Sequence, residues 1–231
     1  YAACGGCRMQ FMDYAAHLNA LGEGVKQTFR RVAGLTDFAL LPPLGMDDPW
    51  RYRNKAVYRA GMAEDGPRLG FVARGTHRLV AATDCLLQSP QARSVARAVE
   101  AWMRAQRIPP YDERTGRGLL RHLCVRTNSR GQTMAVLVAA RENLPNTAAL
   151  AAALRAEVPG LSSVILNVNS RRTQEILGPR NRLIWGQDRL EEELLGLKFS
   201  LSPLSFFQVN TRQAERLYAQ AAEFSGLDGG E

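Results

Sequence analysis

Apolar positions recur at helical spacing in several parts of the chain. They run from Val95 to Met103 just after Ser89-Pro90, a pattern typical of a helix with a serine cap and a proline in its first turn. Asn210 with Gln213 three residues later predicts a capping box at another helix start. The predicted helices cover residues 10–21, 25–33, 90–106, 146–158 and 210–224, with Gly22-Glu23-Gly24 separating the first two.

Strand patterns fill most of the sequence between these helices. Two alternating runs joined by residues 128–132 predict a β-hairpin, and residues 40–50 are predicted to be a loop. The predicted strands cover residues 51–60, 68–74, 78–82, 119–127, 133–141, 163–169 and 197–201. The expected fold class is therefore α+β, with a central mixed, mainly antiparallel sheet and packed helices.

Composition indicates a globular protein. The 231 residues are 45% hydrophobic, enough for a sizeable core. No window approaches the roughly 18–20 consecutive apolar residues of a membrane helix, and the first residues lack the basic and apolar regions of a signal peptide. We expect a cytoplasmic monomer without membrane contacts.

The positive charge is concentrated in one part of the chain. The formal net charge is +8, yet residues 49–141 alone hold 17 Lys and Arg against 6 Asp and Glu, a local charge of +11. Sixteen of the 17 are arginine, whose planar fork pairs with phosphate and stacks on bases. Nucleic acid is the expected partner, and an Arg-rich but ordinary solvated surface is the alternative.

Four cysteines suggest metal or redox chemistry rather than a secreted disulfide framework. Cys4 and Cys7 stand in C-x-x-C spacing, which suits half a zinc site, a redox pair or part of an iron–sulfur set. Cys85 is the next candidate ligand, and a fourth is missing unless a histidine (His17 or His77) completes the set. The remaining thiol, Cys124, lies in a predicted strand and is interpreted as a small hydrophobic residue.

Five segments occur in an order and spacing that resemble the bacterial 23S rRNA (uracil-5-)-methyltransferases. They read CGGCRMQFMDY, YRNKAVYRA, GFVARGTHRLVAATDCLLQ, LRHLCVRTN and SPLSFFQVNTRQAERLY. The resemblance spans nearly the whole chain. It implies S-adenosylmethionine as methyl donor and a [4Fe-4S] cluster held by Cys4, Cys7 and Cys85. In that family a fourth cysteine precedes the C-G-G-C turn, so the chain is expected to be truncated before Tyr1.

The resemblance also implies site residues. It places Gln208 at the methyl-donor and target-base pocket, and Phe206 against a uracil flipped out of its stack. Arg53, Asn54 and Lys55 correspond to a strand on the RNA-facing side. The alternatives are core packing for Phe206 and a charged edge strand for the basic residues.

The implied activity of the full-length protein is methylation of carbon 5 of a uridine in 23S rRNA. In the family the catalytic nucleophile and base lie beyond the position of Glu231, so no catalytic residue is assigned in this chain, which is expected to be inactive alone. The expected division is a cluster-binding turn with N-terminal helices (1–48), a central RNA-contacting domain (49–202) and the beginning of a Rossmann-like methyltransferase domain (203–231). The alternatives are a non-catalytic RNA-binding metal-cluster module and a tRNA-directed uracil-5 methyltransferase.

Overall fold

A computed structural model describes residues 3–226 of the chain. The helices are α1 (Tyr14–Ala33), α2 (Pro90–Ala105), α3 (Thr147–Glu157) and α4 (Thr211–Ser225). The strands are β1 (Lys55–Ala63), β2 (Gly66–Val72), β3 (Leu79–Ala81), β4 (Leu120–Thr127), β5 (Thr133–Ala139), β6 (Leu161–Val168), β7 (Arg180–Gly186), β8 (Leu190–Leu194) and β9 (Leu197–Leu201). The α+β class is confirmed.

Seven strands form one sheet in the order β3-β2-β1-β4-β5-β6-β7, and β8 pairs with β9 in a separate hairpin. Every neighbouring pair in the large sheet is antiparallel except β5 and β6. That parallel pair is joined through α3, as a crossover connection requires. The predicted mixed, mainly antiparallel sheet is therefore correct.

The main core lies between one face of the sheet and the helices α2 and α3. Alternate residues of each strand point into it, such as Tyr58 and Leu123, and they meet Val95 and Leu154 of the two helices. The opposite face carries a smaller cluster that includes Cys124 and Val136. Ordinary two-residue alternation thus gives the sheet one helix-covered face and one partly open face.

Local capping explains where two helices begin. The Ser89 side chain accepts a hydrogen bond from the amide of Ala92, and Asn210 accepts one from Gln213. Both predicted starts are confirmed. Asn146 occupies the cap position of α3 but makes no capping bond, and its side-chain amide donates to Gln106 Oε1.

The sequence prediction was wrong in three places. The glycines at 22 and 24 do not end a helix, because α1 runs uninterrupted from an Asp13 cap to the left-handed Gly34. Residues 51–54 do not belong to β1; they lie beside the loop before α2, where Arg53 bridges Gln88. Strands β7 and β8 were missed because β7 is mostly exposed and β8 consists of three glutamates between leucines.

Within residues 3–226 no helix combines the length and the apolar character needed to cross a bilayer. The predicted ending of the chain after the last helix falls on residues 227–231, outside the described residues.

Candidate functional site

The turn that carries Cys4 and Cys7 is held against the end of β2. Cys4 forms a β-bridge with Ala73, and the Gly5 amide donates to the Val72 carbonyl at 2.9 Å. A Cβ atom on Gly5 would lie 2.9 Å from that same oxygen, which is too close for any residue with a side chain. The first glycine of the turn therefore permits the close approach that positions both thiols.

The loop that carries Cys85 is fixed beside residues 51–53. The amides of Arg51 and Arg53 donate to the carbonyls of Leu86 and Leu87 at 2.8 and 3.0 Å. The Cys85 carbonyl accepts from the amide of Gln88 at 3.1 Å. The sequence predicted that residues 51–54 extend β1. Residues 51 and 53 instead bond to this loop.

Cys4, Cys7 and Cys85 share one neighbourhood. Burial raises the pKa of the Cys7 thiol, and the charges of Cys85 and Cys4 raise it further, while Arg53 opposes them. All three are free thiols, and the Gly6 amide points at the Cys4 sulfur at 3.5 Å. Still, no three His, Cys, Asp or Glu side chains among residues 3–226 are grouped so that they could hold a metal ion. The donors suit a metal, but they are not gathered around a single-ion position.

Cys124 lies apart from this group. It is 5% exposed within the apolar cluster on the open sheet face, and burial raises the pKa of its thiol to about 11. A thiol that stays protonated at neutral pH is a poor nucleophile and a poor ligand. This agrees with its interpretation as a small hydrophobic residue.

Two neighbouring aromatic residues between β9 and α4 have opposite environments. Phe207 is 8% exposed and contacts Phe199 edge-on, with ring centroids 5.7 Å apart. Phe206 is 84% exposed. Core packing therefore accounts for Phe207 and not for Phe206, whose ring is free to stack on a planar ligand.

Asn54, just before β1, binds the segment between β9 and α4 that carries Phe206 and Phe207. Its backbone amide donates to the Val209 carbonyl at 2.8 Å, and its side-chain amide donates to the carbonyl of Gln208 at 2.8 Å and to Thr211 Oγ1 at 2.9 Å. These contacts use the side-chain donors of Asn54 within the protein and hold the backbone of Gln208 in place. Gln208 itself is half-buried.

Arg126 makes a second connection that the sequence analysis missed. The side chain is 4% exposed, and Nη2 donates to the Ser205 carbonyl at 2.7 Å, immediately before Phe206. Lys55 lies directly opposite Arg126 in the pairing of β1 with β4. An arginine inside the otherwise apolar run LCVRT was the available signal, because a buried charge in a strand needs a specific partner.

A polar cleft of about 600 Å³ opens next to these contacts. Its walls come from the loop before β1, the end of β4 and the start of α4. Its lining contains four arginines and four carboxylates: Arg51, Arg53, Arg212 and Arg216, and Asp47, Asp48, Glu192 and Glu215. Trp50 and Tyr52 add aromatic surface. The cleft suits a polar ligand with planar groups rather than an apolar one.

The chain is similar along its whole length to curated bacterial proteins. It is 36% identical over 229 residues to an uncharacterized RNA methyltransferase of Halalkalibacterium halodurans, 38% identical to one of Caldanaerobacter subterraneus, and 37% identical to one of Clostridium tetani. These alignments cover 99–100% of this chain and 50% of each relative. The chain thus spans about half the length of the curated relatives it matches. No family model matches it.

Among solved structures, the fold matches a tRNA (uracil-54, C5)-methyltransferase of Pyrococcus abyssi in complex with S-adenosyl-L-homocysteine. The TM-score is 0.73 and the identity is 22%, over 95% of this chain and 50% of the other. At this identity the likeness establishes a common fold.

Proposed function

We propose that this chain is the RNA-contacting part of an S-adenosylmethionine-dependent RNA (uracil-5-)-methyltransferase. The observation that carries the proposal is the similarity, from end to end of the chain, to relatives named as RNA methyltransferases. The exposed ring of Phe206, next to a Gln208 that Asn54 holds in place, is the arrangement that a base taken out of its stack needs.

Each of the two residues has a distinct task in this proposal. Phe206 stacks on the flipped uracil, and the Gln208 side chain hydrogen-bonds in the pocket shared by the base and the methyl donor. S-adenosylmethionine, when bound, supplies the methyl group. Carbon 5 of uracil is a poor nucleophile until a cysteine thiolate adds to carbon 6. Cys124 is buried in the apolar cluster of the open sheet face, and no residue of this chain is assigned to that role.

We further propose that Cys4, Cys7 and Cys85 are ligands of a [4Fe-4S] cluster. Cys85 and Cys4 lie close enough to Cys7 to raise the pKa of its thiol, and cysteine thiolates are the ligands that hold iron–sulfur clusters. The Gly6 amide near the Cys4 sulfur and the positive charge of Arg53 would stabilise an anionic iron–sulfur centre. In this proposal the cluster ties together the N-terminal turn and the loop before α2, and it transfers no electrons during methylation.

The proposed substrate is 23S rRNA, because the rRNA methyltransferases that the chain resembles carry these cysteines and the tRNA-directed branch usually lacks them. A tRNA uridine is the second candidate, because the fold neighbour is named for a tRNA position. We also retain the expected division at residues 48 and 202 and a cytoplasmic location. A non-catalytic RNA-binding module is the alternative of a different class.

A methyl-transfer assay tests the proposal. Protein expressed from the complete gene and purified without oxygen is incubated with S-adenosylmethionine labelled in the methyl group, and with 23S rRNA or tRNA prepared from a strain that lacks the gene. Incorporation as 5-methyluridine into 23S rRNA supports the proposal. Incorporation into tRNA alone would reassign the substrate, and none into either RNA would favour the non-catalytic module.

A further inference from the structure

We propose that Lys55 and Arg126 form a phosphate-binding site for the RNA backbone, next to the nucleotide whose base stacks on Phe206. The inference rests on the proposed function and names one feature of the substrate that the chain grips. It also assigns a role to Arg126, which lies in the segment LRHLCVRTN but was given no role there.

The two cations face the same side of the sheet. They are directly opposite partners in an antiparallel pair, so their Cβ atoms lie about 5 Å apart on one face. The next pair on the same face of the two strands, Val57 and Cys124, belongs to the apolar cluster of the partly open face. Lys55 and Arg126 therefore lie at the edge of that cluster, away from the core formed with α2 and α3.

Neither cation forms an ion pair with a carboxylate among residues 3–226. Glu192 is close enough to act on Arg126, but its carboxylate accepts hydrogen bonds from the amides of Ser129 and Glu193. Arg126 Nη1 is buried without a hydrogen-bond partner. Two adjacent cations repel each other, and an anion bound at the half-buried Lys55 lowers that cost.

The position of the pair identifies the anion. Arg126 holds the carbonyl of Ser205, so the site lies one residue along the chain from the exposed ring of Phe206. A flipped nucleotide carries a phosphate on each side of its sugar, within reach of groups that surround its base. Lys55 is only half-buried and is the group that touches the phosphate, whereas Arg126 lies behind it and supplies charge. Burial and the neighbouring Arg126 lower the pKa of Lys55, because both disfavour its charged form.

The test measures binding of a labelled single-stranded RNA of about 12 nucleotides with one uridine, by fluorescence anisotropy at salt concentrations from about 50 to 200 mM. Lys55→Gln is expected to weaken binding and to reduce the salt dependence by the share of one phosphate contact, a slope change of about 0.7. Arg126→Lys, which keeps the charge but shortens the reach to Ser205, should lose less affinity than Lys55→Gln. Lys26→Gln is the matched control, because that lysine already lies 3.9 Å from Glu23.

A second RNA locates the contact. It carries uncharged methylphosphonate linkages on both sides of the uridine, and the effect of Lys55→Gln should disappear with it. An unchanged salt slope for Lys55→Gln, or an equal loss on both RNAs, would overturn the inference while leaving the proposed function intact. A wild-type chain that binds neither RNA would overturn both.

Discussion

Asn54 and Gln208 are 154 positions apart in the sequence, yet the side-chain amide of Asn54 donates to the Gln208 carbonyl at 2.8 Å. Through this bond the residue just before β1 fixes the segment that presents Phe206. The site is therefore assembled between distant parts of the chain, and its geometry depends on contacts that can be removed one at a time.

Asn54→Asp removes both side-chain donors while keeping the size of the residue. We expect the free energy of unfolding to fall by about 1–3 kcal/mol, because the carbonyl of Gln208 then faces a carboxylate oxygen. Urea denaturation measures the change. Asn19→Asp is the control, since Asn19 is exposed on α1 and its substitution should cost less than about 0.5 kcal/mol. Equal losses in the two variants would contradict the positioning role.

Phe206 and Phe207 should respond in opposite ways to truncation. Phe206→Ala is expected to leave the melting temperature unchanged, because the ring is 84% exposed, and to weaken RNA binding by about 1–3 kcal/mol through lost stacking. Phe207→Ala should cost about 3–5 kcal/mol of stability. Thermal melts and anisotropy on both variants check this. Unchanged RNA affinity in Phe206→Ala would remove the base-stacking assignment.

The helices with clear start signals could be predicted from the sequence, whereas the site contacts could not. Ser89-Pro90 defines the start of α2 through a bond to Ala92, only three residues away, and such local bonds can be predicted from the sequence. The bonds of Asn54 and Arg126 to residues 205–211 depend on how β1, β4 and the segment after β9 meet in space. A pattern with a period of two or 3.6 residues holds no information on such distant contacts.

The elements that were missed have physical causes as well. In α1 the glycines at 22 and 24 lower helix propensity, but Gly22 lies against Pro43 at a distance that leaves little space for a side chain. The Asp13 cap at one end and the left-handed Gly34 at the other enclose both glycines in a single helix. Strand β8 was not predicted because three consecutive glutamates are unusual in a strand. The central one, Glu192, is buried, and its carboxylate accepts hydrogen bonds from backbone amides.

Gly5→Ala should disturb the cysteine turn, whereas Gly6→Ala should not. A Cβ on Gly5 would meet the Val72 carbonyl at 2.9 Å, but on Gly6 its nearest neighbour is the Cys4 sulfur at 3.5 Å, an ordinary contact. We expect anaerobically purified Gly5→Ala protein to hold less iron and sulfide than wild type, and Gly6→Ala to match it. Zinc in place of iron in all three proteins would refute the [4Fe-4S] proposal.

His122 should make stability sensitive to mild acid. Burial, together with Arg121 and Arg59, lowers its pKa from 6.5 to about 4. Between these two pH values the unfolded chain binds a proton at this histidine and the folded chain does not. Its contribution is complete above pH 6.5 and is lost as the pH falls toward 4, by an amount on the order of 2–3 kcal/mol. His122→Gln should therefore lose less stability than wild type over this range in urea titrations. His77→Gln, at an exposed position, should behave like wild type, and identical pH profiles for all three would contradict the assignment.

Mass spectrometry of 23S rRNA from living cells tests the proposed uridine methylation most directly. Deletion of the gene should remove 5-methyluridine from at least one position of 23S rRNA and leave tRNA unchanged. A wild-type copy should restore it, and a copy carrying Phe206→Ala should restore it poorly. Full 5-methyluridine in the 23S rRNA of the deletion strain would contradict the account.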